Sequence, residues 1–224
     1  MNVQQRSLDD LPPIVFGETP KADAALVVGR LGEHERQLFD SEQGDEFDGF
    51  SPQRKSEYAS GRRVAHAALK LLAGEPQAVT RNGRLPVWPA GYCGSISHSR
   101  EIAVALVAST GDCRGVGLDV VKKNAVSTKV GIRIMLTEEV RPSWGFTDTD
   151  WRAIVFSAKE SVFKAVHPVI GEFLGFRDVE IKMNESERSF TAATVKEGPS
   201  SKVVQAGIGF VTDYEGHWLT TFLV

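Results

Sequence analysis

The sequence predicts an α+β protein with mostly antiparallel strands, organised as two similar lobes. Three observations lead there. Two segments, near residues 52–72 and 149–166, carry long apolar stripes at helical spacing. Short apolar or alternating runs bounded by Gly, Pro, Ser and Asn surround them and read as strands. Each half offers one long helix and about three strands, with a boundary near Asp112–Arg114. The 224 residues leave room for one large domain or two small ones. With 42% hydrophobic and 25% charged residues, collagen, coiled coil and wholesale disorder are excluded.

In chain order, a strand is expected at Ala25–Val28 and a short helix around Glu33–Phe39. Ser51-Pro52 supplies an N-cap and first-turn pair for the first long helix. Tyr58, Ala65, Ala68, Leu69 and Leu72 form its apolar stripe, and Gly74 and Pro76 end it. Leu85–Gly91 reads as a rigid, Pro-rich connection. Ser95–His98 and Ile102–Ala108 read as a hairpin, and Gly115–Val121 as a strand that is apolar except for Asp119. Thr137 is expected to cap a short helix led by Glu138 and Glu139. The second long helix is expected over Thr149–Val166, capped by Asp148 or Thr149 and ended by His167-Pro168. Strands follow at Val179–Asn184, Ser189–Val195, Gly207–Val211 and Trp218–Val224.

Lys and Arg number 26 against 29 Asp and Glu, a net charge of −3, which weighs against binding nucleic acid. The balance is uneven. Residues 1–49 hold 4 basic and 11 acidic side chains, whereas residues 50–84 hold 7 basic and 2 acidic. The acidic run Asp40–Asp48 reads as a solvated loop. Two cysteines, Cys93 and Cys113, make no disulfide framework or zinc motif. The N-terminal residues lack an apolar signal core and no run suits a membrane span, so a soluble cytoplasmic protein is expected.

Several residues could carry chemistry. Asp119 inside an apolar strand is costly to bury unless paired or metal-bound; otherwise it caps a loop at the strand end. Glu160 and Lys164 share a helix face, either as functional groups or as an exposed ion pair, and Lys159 adds little beside them. His98 is a ligand contact, a general base or an ordinary turn histidine. Cys93, five residues earlier, permits a weak Cys/His hydrolase reading, but G-x-S-x-G, Walker and dinucleotide motifs are missing. Arg54 and Arg62 lie about 80° apart around their helix and can face one ligand.

The strings Gly94-Ser95-Ile96-Ser97-His98-Ser99, Gly117-Leu118-Asp119 and Phe156-Ser157-Ala158-Lys159-Glu160-Ser161-Val162-Phe163-Lys164 occur in that order. Upstream stand Arg54-x-x-Glu57, Gly61-Arg62, Ala67-Ala68-Leu69 and Pro86-Val87-Trp88-Pro89. Together they resemble the 4′-phosphopantetheinyl transferases of the larger monomeric type, in the enterobactin-type branch, over roughly residues 50–185. The resemblance implies a pseudo-dimer of two α+β lobes with the active site in the cleft between them. It implies an N-terminal lobe (1–113) that contacts the nucleotide of coenzyme A and a C-terminal lobe (114–224) with the metal and catalytic helix. It implies transfer of the phosphopantetheine arm of coenzyme A to a carrier-protein serine, with release of 3′,5′-ADP. Siderophore, nonribosomal peptide or polyketide biosynthesis is the setting it implies.

By position, Asp119 and Glu160 look like Mg²⁺ ligands, Glu160 the general base, and Lys164 the neutraliser of the pyrophosphate. Arg54, Arg62, Ser97 and His98 match coenzyme A contacts; Arg81 and Arg84 lie near a further basic position, and Arg84 is placed in the expected set. An acidic peptidyl, aryl or acyl carrier is the expected partner, with Lys122, Lys123 and Lys129 as candidate contacts or simply a solvated loop. No nucleic-acid or membrane partner is expected, and the chain is expected to act as a monomer. One position departs from the family pattern: Val121 stands where a second acid is usual, two residues after Asp119. The alternative it raises is a degenerate, noncatalytic module that binds coenzyme A or a carrier.

Overall fold

A computed structural model describes residues 13–14, 23–32, 37–139, 141, 145–184 and 187–224. The chain divides into two compact units, Met1–Asp112 and Cys113–Val224. Each contains one long helix laid on an antiparallel sheet, the mixed α+β architecture expected.

In the first unit the sheet comprises β1 (Pro13–Ile14), β2 (Ala24–Arg30), β5 (Tyr92–His98) and β6 (Ile102–Ser109), in the order β1-β2-β6-β5. The short α1 (Asp45–Asp48) precedes α2 (Pro52–Ala73). Ser51 caps α2 by accepting from the Arg54 N–H, and Gly74, at φ 83°, closes it in the left-handed conformation that a Cβ would disfavour. The buried stripe Val64, Ala65, Ala68 and Leu69 packs on Val27, Ala105 and Val107 of the sheet. At Gly61 the helix comes so close to β5 that a Cβ would sit 2.9 Å from the Ile96 methyl.

The second unit has the sheet order β7-β11-β10-β9-β8, from β7 (Val116–Lys122), β8 (Val179–Asn184), β9 (Ser189–Thr194), β10 (Ile208–Tyr214) and β11 (His217–Leu223). Across it lies α4 (Asp148–Ile170), burying Ile154, Val155, Ala158, Val162 and Ala165. Its N-cap is Thr147, in a capping box with Asp150, and not Asp148 or Thr149 as expected, because both of those lie inside the helix. Burial alone would raise the Asp150 carboxyl, but hydrogen bonds from Thr147 and Trp218 outweigh it and hold that carboxyl below its ordinary range.

Three further expectations need correction, and one helix adds to them. The Leu85–Gly91 connection contains β4 (Leu85–Val87), paired with β3 (Thr80–Asn82). Pro86 is tolerated because a two-stranded ladder consists only of edges. Thr137 and Glu138 form a turn, and the helix instead precedes them as α3 (Thr128–Ile134), capped by Ser127. The helix α4 runs through Pro168 to a left-handed cap at Gly171, whose N–H bonds the His167 carbonyl. The proline removes one hydrogen bond, but Phe163 stacked on His167 at 4.9 Å holds that last turn. Finally, α5 (Ser201–Ala206) was not expected. The helix expected around Glu33–Phe39 falls mainly on residues 33–36, outside the described residues, and Phe39 itself is extended.

Candidate active site

Asp119 lies in mid-strand on β7, 6% exposed, so it is no loop cap. A lone buried carboxylate would be expensive. Here Oδ1 pairs with the Lys164 ammonium at 2.7 Å, and Oδ2 accepts from the Ser157 hydroxyl at 2.9 Å. Lys164 also donates to the Leu118 carbonyl at 3.1 Å. Ser157, Glu160 and Lys164 follow one another along α4 at spacings of three and four, so one helix face delivers all three to Asp119. The approach depends on Gly117, where a Cβ would collide with the Ser161 carbonyl.

Glu160 and Lys164 are therefore not a surface ion pair: Lys164 spends its charge on Asp119. Burial pushes the Glu160 carboxyl above its usual range; the Lys164 ammonium pulls it down and the Asp119 carboxylate adds to the rise. Two carboxylates that feel each other's charge, beside one shared lysine, suit a hard divalent cation that completes its shell with phosphate oxygens and water. Among the described residues no cluster of three or more acid, His or Cys side chains forms. Val121 is buried in the core and packs with Trp218, its partner across the ladder, so it offers no oxygen.

Lys159, next to Glu160, has a different position from its neighbour. Its ammonium pairs with Glu139 at 2.8 Å and donates to the carbonyls of Ile134 (2.9 Å) and Phe176 (2.7 Å). Glu139 in turn accepts from the backbone N–H groups of Leu136 and Ile181. Burial lowers the Lys159 pKa, partly offset by Glu139.

The first unit gathers a separate basic cluster. Arg54 and Arg81 lie over the Phe50 ring at 5.6 and 5.3 Å, and Arg62 lies over Tyr58 at 4.4 Å. Phe50 and Tyr58 meet edge to face, so the three guanidinium groups share one aromatic platform. Arg62 is 6% exposed and donates to the Thr80 carbonyl; burial lowers its pKa, partly offset by Tyr58 and by the Glu42 carboxylate. The Nε of Arg62 and the Nη1 of Arg81 are buried donors without an acceptor among the described residues, as a site awaiting an anion would leave them. Arg54 donates to Glu57 and to His98 Nε2, both at 3.4 Å.

His98 and Ile96 therefore face α2, whereas the intervening Ser97 is buried on the opposite face of β5. Arg84 lies exposed in the β3–β4 turn, so the hairpin presents Arg81 to the platform instead. Cys93 and His98, five apart on one strand, point to opposite faces, which removes the Cys/His hydrolase reading. Lys123 is committed to Asp213 at 2.6 Å and to the Trp218 ring, Lys122 is exposed, and Lys129 lies exposed on α3 rather than in a loop.

Carboxylates beside a lysine and a platform of arginines are the equipment of an enzyme that handles phosphate esters. A sequence model of the 4′-phosphopantetheinyl transferase N-terminal domain matches residues 47–108, and one of the 4′-phosphopantetheinyl transferase superfamily matches residues 115–219. The chain is 32% identical over 172 residues to the 4′-phosphopantetheinyl transferase Svp of Streptomyces mobaraensis, covering 75% of this chain and 68% of that protein. It is 29% identical over 145 residues to the 4′-phosphopantetheinyl transferase PptT of Mycobacterium tuberculosis (63% and 64% covered). It is 32% identical over 135 residues to enterobactin synthase component D of Escherichia coli (57% and 61% covered). The chain belongs to the 4′-phosphopantetheinyl transferase superfamily, is an enzyme of that class, and has an enterobactin-like relation within it. No helix of the described residues is long and apolar enough to cross a membrane.

Proposed function

We propose that this chain transfers the 4′-phosphopantetheine arm of coenzyme A to a serine of an apo carrier protein, with Mg²⁺, releasing 3′,5′-ADP. The observation that carries this reading is Asp119, buried and paired with Lys164, with both charges felt by Glu160. Asp119 and Glu160 would hold the cation, which supplies charge neutralisation on the pyrophosphate when bound. Glu160, its affinity for a proton raised by burial, takes the proton of the carrier serine directly or through water. The serine oxygen then forms the new bond to phosphorus as the bond to 3′,5′-ADP breaks. Lys164 keeps its positive charge beside the departing phosphate.

Residues 1–113 would supply the nucleotide contacts: Arg54, Arg62 and His98, with Arg81 added, while Ser97 and Arg84 lie away from the platform. Residues 114–224 would supply the metal and the catalytic helix. The acidic carrier would dock on α3, where Val130 and Ile132 are exposed between Lys129 and Arg133. The relation to enterobactin synthase components favours a siderophore or nonribosomal peptide pathway, served by a monomer in the cytoplasm.

A noncatalytic binding module would not need Asp119, Glu160 and Lys164 together, so Val121 does not favour that alternative. The test is incubation with coenzyme A, Mg²⁺ and an apo peptidyl carrier, read by intact mass. A gain of one phosphopantetheine arm is expected; no gain at any Mg²⁺ concentration overturns the reading. Full transfer by E160Q would remove Glu160 from the role of base.

A further inference from the structure

We propose that Thr220 and Ser157 form a hydroxyl chain that positions Asp119 for the divalent cation; the inference rests on the transferase reading and adds two residues to its site. Ser157 and Thr220 are both fully buried. Ser157 Oγ lies 2.9 Å from Asp119 Oδ2 and 2.9 Å from Thr220 Oγ1. Thr220 is the direct partner of Asp119 across the β7–β11 ladder, so both side chains rise from one face of the sheet toward α4.

The direction of the chain follows from its protons. An ionised carboxylate can only accept, so the single proton of Ser157 goes to Asp119. Ser157 must then accept from Thr220, whose own proton is thereby committed. The order is Thr220 to Ser157 to Asp119, and no hydroxyl is left to turn. With Lys164 on Oδ1 and Ser157 on Oδ2, the carboxylate is held at both oxygens.

Two facts make this orientation matter. Val121, two residues on, carries no oxygen, so Asp119 is the one carboxylate that β7 contributes. Glu160 comes from a different element, α4, and the two acids can address one ion only if Asp119 keeps its rotamer. Residues that orient a metal ligand through a hydrogen bond are typically worth 10–100-fold in metal affinity. Ser157 and Thr220 are thus positioning residues, acting through Asp119.

The probe is Mn²⁺, titrated by electron paramagnetic resonance into the full chain with coenzyme A present. Coenzyme A affinity is measured separately in chelator, and melting temperatures check the fold. T220V is isosteric and lacks the hydroxyl; T220S keeps it. S157A and T220V are expected to weaken Mn²⁺ binding, S157A by about 10–100-fold, whereas T220S binds as the wild type. Metal-free coenzyme A affinity is expected to stay unchanged in all three. Wild-type Mn²⁺ affinity in both S157A and T220V overturns the inference, as does equal weakening by T220S and T220V. If S157A fails to fold, the T220V and T220S pair decides. Absence of Mn²⁺ binding by the wild type overturns the transferase reading, and this inference with it.

Discussion

Lys159 stands beside the proposed base but points into the protein, and replacing it separates structure from catalysis. Its side chain is 2% exposed and that of Glu139 is fully buried. The ammonium holds three acceptors: Glu139, the Ile134 carbonyl and the Phe176 carbonyl. K159M keeps much of the side-chain volume but removes all three bonds. It leaves a carboxylate buried with only the Leu136 and Ile181 N–H donors, and it orphans two carbonyls. Breaking a buried pair by deleting one partner costs about 3–5 kcal/mol. For a chain of this size each kcal/mol lowers the melting temperature by roughly 2–4 °C, so K159M should melt about 6–20 °C below the wild type. K159M/E139Q should recover part of that loss, since the buried charge is gone. Thermal denaturation followed by circular dichroism reads the shift, and the carrier-modification assay is run well below both midpoints. A K159M protein that melts like the wild type yet transfers no phosphopantetheine would refute the structural assignment and put Lys159 at the substrate.

Three further outcomes are expected. G117A should destabilise the second unit by about 1–3 kcal/mol in urea denaturation, because the new methyl meets the backbone of Ser161 and Ala165, which cannot rotate away. E42A should cost the first unit about 3–5 kcal/mol by the same measurement, since Glu42 Oε1 accepts from His66 (2.7 Å) and the Val79 N–H (2.6 Å) while Oε2 accepts from the Phe39 N–H. The third concerns pH. The raised pKa of Glu160 means that the folded, metal-free chain keeps a proton the unfolded chain has lost, so its contribution to stability falls as pH rises from the ordinary carboxylate range through the raised value. E160Q lacks that fall and should gain on the wild type between pH 4 and 8; a stability difference that stays constant over that range would contradict the burial of Glu160.

What the sequence disclosed and what it hid follow from the range of the interactions involved. The long helices were legible because their stripes, the Ser51 cap and Gly74 are local signals, whereas Gly171 was passed over for Pro168 as the end of the second. The helix α3 was not, because Thr128, Val130, Ile132 and Ile134 are β-branched and Gly131 interrupts them; tertiary packing overrides those propensities. In the site, Asp119, Glu160 and Lys164 were readable as candidates from an acid in an apolar strand and a four-residue helical spacing. That Lys164 pairs with Asp119 rather than with Glu160 depends on the angle at which α4 crosses β7, and no local pattern encodes it.

The acidic opening of the chain is likewise organised by long-range contacts. Read as a solvated run, Asp40–Asp48 gave no distinction between Glu42 and its neighbours, yet Glu42 is buried whereas Asp40, Glu46 and Asp48 are exposed. One acid was selected by two donors from distant parts of the chain, His66 on α2 and the Val79 N–H, together with the nearby Phe39 N–H. Glu42 also lies close enough for its charge to favour the cationic form of Arg62. The excess of negative charge before residue 50 therefore does more than solvate a loop. It ties the segment before α1 to the helix that carries Arg54 and Arg62, and Glu46 pairs with Arg81 at 2.7 Å on the same platform. An incoming phosphate would compete with Glu46, which is largely exposed and can yield, but not with Glu42, which is locked. The platform is thus neutralised at its rim by a replaceable acid and held from beneath by a permanent one, a division that net charge alone could not reveal.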